Sequence, residues 1–84
     1  MSTITYYVAI SFVLDHTGSV VAGDAFECPN VGAAIMIAEA VTKTGGVVGS
    51  LAFSRTGDPD TVAFEDAVVL KTFGQVPSDL ATLI

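Results

Sequence analysis

The residues of this chain that could do chemistry are few, and several fall in the stretch FSRTGDPDT, residues 53–61. It contains Arg55, the single arginine of the chain, and the carboxylates of Asp58 and Asp60. A calcium loop needs more oxygen ligands in a fixed order, a glycine at the bend and a closing glutamate. Two aspartates therefore do not predict a metal site.

The same stretch is typical of a hairpin loop. Gly57, Asp58 and Pro59 are all residue types that favour turns. We expect Arg55 to pair with a nearby carboxylate at the surface, since such ion pairs are common and weak. The alternative is a contact tip, in which Arg55, Asp58 and Asp60 touch a partner.

His16 and Cys28 are the other pair that could act together, as a base and its nucleophile. They fall at opposite ends of a predicted hairpin, roughly 30 Å apart at the usual rise of a strand. We therefore predict a non-enzymatic protein with no catalytic residues, no cofactor and no metal. The alternative is a small enzyme built across a dimer interface, in which residues such as Tyr7, His16 or Arg55 converge.

The elements that position these residues follow from hydrophobic spacing. Alternation of apolar residues predicts four strands, over residues 3–14, 19–28, 47–55 and 62–73. The sequence DHTGS predicts a turn in which Asp15 bonds the backbone and Gly18 takes a positive φ. A helix is predicted between the second and third strands, with Asn30 as its N-cap and Gly45–Gly46 at its end.

These elements predict a single domain, residues 1–84, of class α+β. The expected order is ββαββ, a four-stranded, mostly antiparallel sheet with one helix packed on one face. The apolar tail SDLATLI, residues 78–84, is compatible with one further turn of helix.

The two faces of the predicted sheet differ in side-chain size. Large apolar residues fall on the face that we expect beneath the helix: Tyr6, Val8, Ile10, Phe12, Leu14, Val20 and Phe26. The other face carries small or apolar residues, almost uncharged, among them Tyr7, Ala9, Ser11, Val13, Val48, Ser50 and Ala52. Since one helix covers one face, we expect the second face, or an edge strand, to form a homodimer interface. The alternative is that the C-terminal tail covers it.

The formal net charge is −6, from nine Asp and Glu against two lysines and one arginine. This charge argues against direct binding of nucleic acid, because phosphates would be repelled. It fits a protein partner with a basic surface. The partner-binding residues that we predict are Asp15, Asp24, Glu27, Arg55, Asp58, Asp60 and Glu65, and Asp79 adds to the charge.

Three features favour a cytoplasmic location. A single cysteine excludes an internal disulfide. The chain has no run of about eighteen apolar residues, so no membrane span is expected. Its first residues lack the basic segment of a secretion signal.

The stretches AFSRTGDPDT and EDAVVLKTFGQVPSDL resemble those of short, functionally uncharacterised bacterial proteins found near mobile elements. In size, acidity and lack of enzymatic residues, the chain is also similar to anti-CRISPR proteins that inhibit type I systems. That resemblance implies a nucleic-acid mimic that blocks a Cas subunit, and no residue role is carried over because the group shares no motif. We therefore expect a non-catalytic inhibitor acting by protein–protein contact. The alternative is a small structural or binding module of a bacterial complex, functioning through its apolar sheet face.

Overall fold

The fold is described by a computed structural model, which covers residues 3–58, 60–61 and 63–77. Its elements are β1 (Ile4–Leu14), β2 (Val20–Cys28), α1 (Val31–Val41), β3 (Val47–Asp58), β4 (Ala63–Phe64) and β5 (Val68–Gly74). The strands pair antiparallel in the order β2-β1-β3-β4, and β5 also pairs with β3. The predicted α+β class is confirmed.

The predicted fourth strand is two strands. β4 and β5 both lie on the edge of β3 that β1 does not occupy, so the sheet has five strands rather than four. The chain between them contains Glu65 and Asp66, and both are exposed. In a continuous strand, alternation would send these two carboxylates to opposite faces of the sheet. The interruption keeps both of them in solvent.

The first hairpin turns where the sequence predicts. The Asp15 carboxylate accepts hydrogen bonds from the backbone N–H groups of Thr17 and Ser19, at 2.8 and 3.0 Å. Gly18 has a φ of 85°, a conformation that costs little only for glycine. Leu14 pairs with Val20, as predicted.

One extra residue in β2 then changes the pairing. Gly23 and Asp24 both lie opposite Ser11, whose hydroxyl oxygen accepts a hydrogen bond from the Asp24 N–H at 2.9 Å. Beyond this bulge Phe26 pairs with Ala9, where the predicted partner was Val8. The prediction that Phe26 shares a face with Phe12 is therefore wrong, because a shift of one residue exchanges the two faces of a strand.

Helix α1 begins and ends close to the predicted residues. The Asn30 side chain accepts a hydrogen bond from the Ala33 N–H at 2.8 Å, as an N-cap does. After the helix, Gly46 adopts a φ of 90° and the chain enters β3.

The helix covers the face of the sheet that we expected to be bare. Ala34 and Ala38 of α1 form one buried cluster with Ala9, Ala52 and Cys28. The Ser50 hydroxyl, also fully buried, donates a hydrogen bond to the backbone carbonyl of Ala38. The expected dimer interface of Tyr7, Ala9, Ser11, Val13, Val48, Ser50 and Ala52 is therefore wrong as an exposed surface. A homodimer through an edge strand stays a prediction.

Side-chain size explains this inversion. Small residues on both surfaces let the helix backbone approach the sheet closely, and interiors are packed as tightly as organic crystals. The sequence pattern suggested the opposite arrangement, because large apolar residues are usually the ones beneath a helix. Here the alanine stripe of α1 selects the face of alanines and serines.

The opposite face, which we call the open face, carries the large side chains. Although α1 packs on the other face, the Phe12 and Leu51 side chains on the open face are fully buried. After Gly74 the backbone of Gln75 passes over Gly49 and fills the space that a side chain at residue 49 would occupy. Gly49 is the cross-strand partner of Phe12. Two predictions concern residues 78–84, namely that they form a helical turn and that they cover the sheet. These residues lie outside the part of the chain that the structure describes.

Candidate functional site

A groove of about 300 Å³ lies on the open face. Its lining residues come from β1, β2, β3 and β4, and they are Tyr6, Val8, Glu27, Phe53, Arg55 and Phe64. Strand register explains why they meet. Tyr6 lies opposite Arg55, and Val8 lies between Phe53 on one side and Glu27 on the other. Side chains directly opposite one another share a face of the sheet.

An aromatic pair forms one wall of the groove, hereafter the aromatic wall. The ring of Phe64 lies over Gly57, since a Cβ atom at residue 57 would come within 2.3 Å of the Phe64 ring. The ring centres of Phe64 and Tyr6 are 6.0 Å apart at 47°, within the range of favourable aromatic pairs. Gly57 therefore has a packing role inside β3, and the prediction that it belongs to the turn is wrong. Pro59 lies outside the described residues.

Arg55 lies inside β3 rather than in the loop. Its side chain is half-buried, and its Nε atom is buried without a hydrogen-bond partner among the described residues. Arg55 was expected at the end of the third strand, in an ion pair with a carboxylate at the surface, whereas its side chain is half-buried. An unsatisfied buried donor costs about 1–3 kcal/mol, and more when it is charged. A ligand oxygen that accepts a hydrogen bond from this N–H would remove that cost.

Four of the predicted partner-binding carboxylates lie at the end of the sheet that holds the groove. Glu27 lines it directly. Asp58 ends β3 next to Gly57, and its carboxylate accepts a hydrogen bond from the Asp60 N–H at 2.9 Å. Glu65 follows Phe64, and its N–H donates to the Thr56 carbonyl at 2.8 Å. We call Asp58, Asp60 and Glu65 the acidic loop.

The other predicted carboxylates lie elsewhere. Asp15 is in the turn at the far end of β1, about 35 Å from the start of that strand at the usual rise. Hydrogen bonds from the Thr17 hydroxyl and then from the Ser19 and Thr17 N–H groups hold the pKa of Asp15 below its ordinary value of 3.8. Asp24 is exposed at the bulge of the edge strand β2. Asp79 is outside the described residues.

The residues weighed as catalytic do not converge within the chain. Tyr7 packs beneath α1, Arg55 lies on the open face, and His16 is exposed in the distant turn. Cys28 is buried and in register with Tyr7, at the opposite end of the hairpin from His16. In the part of the chain that the structure describes, no three His, Cys, Asp or Glu side chains are grouped to hold a metal ion. None of its helices is long and apolar enough to cross a membrane.

Sequence reasoning missed the apolar half of the site. We had assigned Tyr6 and Val8 to the helix-covered core and gave Phe53 and Phe64 no role. One signal was present in the sequence: Gly57 stands inside an alternating strand, and a strand glycine often marks a close approach by another group. Which group approaches depends on the pairing of β3 with β4, which the residues alone do not specify.

Comparisons with protein-family models, with curated proteins and with solved structures found no match for this chain.

Proposed function

We propose that this chain is a non-catalytic binding module that acts by protein–protein contact with a partner carrying a basic surface. The observation that supports this most directly is that the acidic loop lies at the same end of the sheet as the groove. That end thus offers an apolar groove lined by Glu27 and further carboxylates nearby in the chain. Apolar anchors inside a charged rim are the usual anatomy of a protein interface.

The charge of the molecule supports a basic partner. The chain carries −6, and of its three cations only Arg55 lines the groove. Lys71 lies 5.3 Å from the centre of the Phe73 ring, which packs on the helix side. Complementary charge speeds association and excludes wrong partners more than it adds affinity.

A partner that itself binds nucleic acid fits this charge, because such proteins present basic channels to phosphates. Occupation of that channel would inhibit the partner. Subunits of a type I CRISPR complex are the first candidates, given the likeness in size and acidity noted above. The second candidate function is that of a structural module held in a larger complex through the aromatic wall.

The test compares two variants of equal net charge. Asp58→Asn with Asp60→Asn removes two carboxylates beside the groove, whereas Asp24→Asn with Glu39→Gln removes two elsewhere, and both variants carry −4. Immobilised chains are offered purified type I CRISPR subunits and a lysate of the native host, over a range of added salt.

We expect the acidic-loop variant to associate more slowly and to respond less to salt, while the control matches the unaltered chain. Competition by duplex DNA would identify a nucleic-acid channel as the bound surface. Binding that is insensitive to salt and to the acidic-loop variant would favour the structural module. No saturable partner under any condition would refute both functions.

A further inference from the structure

Among the described residues, the Nε atom of Arg55 is the one buried side-chain nitrogen or oxygen without a hydrogen-bond partner. Buried polar groups in folded proteins nearly always have a partner. This donor belongs to a residue that lines the groove. The unmet hydrogen bond indicates an acceptor that the described residues do not supply.

We propose that the groove binds a carboxylate through Arg55, carried by an acidic residue of a partner segment whose neighbouring apolar side chain packs on the aromatic wall. Nε and one terminal nitrogen of a guanidinium lie in one plane, at a spacing that matches the two oxygens of a carboxylate. The inference rests on the proposed function in placing a protein segment in this groove. It adds the chemistry of that segment.

Charge selects a carboxylate over a phosphate. Glu27 lines the same groove, and the acidic loop lies at the same end of the sheet, so a doubly charged anion would be repelled more strongly than a singly charged one. Among the described residues that line the groove, Arg55 is the one cation. The partner segment therefore carries one carboxylate flanked by basic residues, which face Glu27 and the acidic loop.

The volume and the lining residues of the groove suit a protein side chain better than a large cofactor. The groove of about 300 Å³ is at the lower end of the sizes typical of ligand sites, roughly 300–1,000 Å³. Tyr6, Phe64, Phe53 and Val8 provide apolar contact next to the charged guanidinium. This combination suits an apolar residue adjacent to an acidic one.

The single arginine makes the test direct, because one Nε–H resonance in a ¹⁵N-labelled sample reports on Arg55 alone. The probes are 3-phenylpropionate and its neutral amide, which have the same shape. We expect the carboxylate to shift the Nε–H resonance and the backbone amides of Tyr6 and Thr56 in a saturable manner, and the amide to leave them in place. Arg55→Gln should weaken binding of the carboxylate about tenfold or more, the loss expected for hydrogen bonds to a charged group.

Three results would overturn the inference: equal shifts from both probes, no shift from either, or a stronger response to inorganic phosphate than to the carboxylate. If Arg55→Gln does not fold, the titration of the unaltered chain decides alone. The probes need no protein partner. If a protein partner is captured but neither probe shifts a resonance, the carboxylate site is refuted and the proposed function stands.

Discussion

At the scale of single residues, two charged side chains, those of Asp15 and Arg55, differ in their hydrogen bonding. Asp15 is fully engaged in its turn, where the side chain and backbone of Thr17 and the backbone of Ser19 donate to one oxygen. Arg55 has a buried nitrogen with no partner among the described residues. The first group therefore has a role in folding, and we propose a role in binding for the second.

The role of Asp15 can be tested by pH. Since its pKa is lower in the folded chain than its ordinary value of 3.8, the ionised carboxylate stabilises the fold above that value. This contribution is lost as the pH falls through the folded pKa. We expect Asp15→Ala to lower the melting temperature at neutral pH and to reduce the further loss between about pH 4 and pH 2.

Thermal melts followed by circular dichroism measure this effect. Asp24→Ala is the matched control, because the hydrogen bonds of Asp24 that the structure shows involve its backbone. Equal pH dependence in the unaltered chain and in Asp15→Ala would contradict the assignment.

The turn could be predicted from the sequence, whereas the continuation of the third strand beyond Arg55 could not. Asp15 and Gly18 act within five consecutive residues, so local rules describe them fully. Arg55 is set by the length of β3, which runs on to Asp58 because Gly57 pairs with both Ile4 and Phe64. Those partners are distant in sequence, and residue types alone did not identify them.

At the scale of elements, the decisive feature is which sheet face the helix covers. The strands, the helix and most of the order of pairing follow from alternation and caps. The choice of face depends on how closely two surfaces fit, and the alanines of α1 fit the face of Ala9 and Ala52. A period-two pattern distinguishes two faces but does not say which of them a helix prefers.

A charge placed on the covered face tests this arrangement. Ala52 is fully buried beneath α1, so Ala52→Glu should destabilise the chain by several kcal/mol, as an unpaired buried charge does. Ala40→Glu is the control, because Ala40 is exposed on the helix and should tolerate the change. Chemical denaturation measures both. A stably folded Ala52→Glu would contradict the packing of α1 on this face.

At the scale of the whole molecule, the long sheet separates the Asp15 turn from the groove. The molecule is 44 Å in its longest dimension and 16 Å in its shortest. The turn of Asp15 lies at one end of β1, and the groove and acidic loop lie towards the other. The net charge of the sequence predicted a basic partner, but the sequence did not show that several carboxylates lie at the same end of the sheet as an aromatic groove.

The central claim is that the partner binds at this groove, and one comparison tests it most directly. Phe64→Ala removes an exposed ring from the aromatic wall, and Met36→Ala removes an exposed apolar side chain from the outer surface of α1. Retention of the same partner on the two immobilised variants is the measurement. Our account predicts that Phe64→Ala releases the partner while Met36→Ala holds it as the unaltered chain does. Retention by Phe64→Ala together with loss by Met36→Ala would contradict it and place the binding surface on the helix.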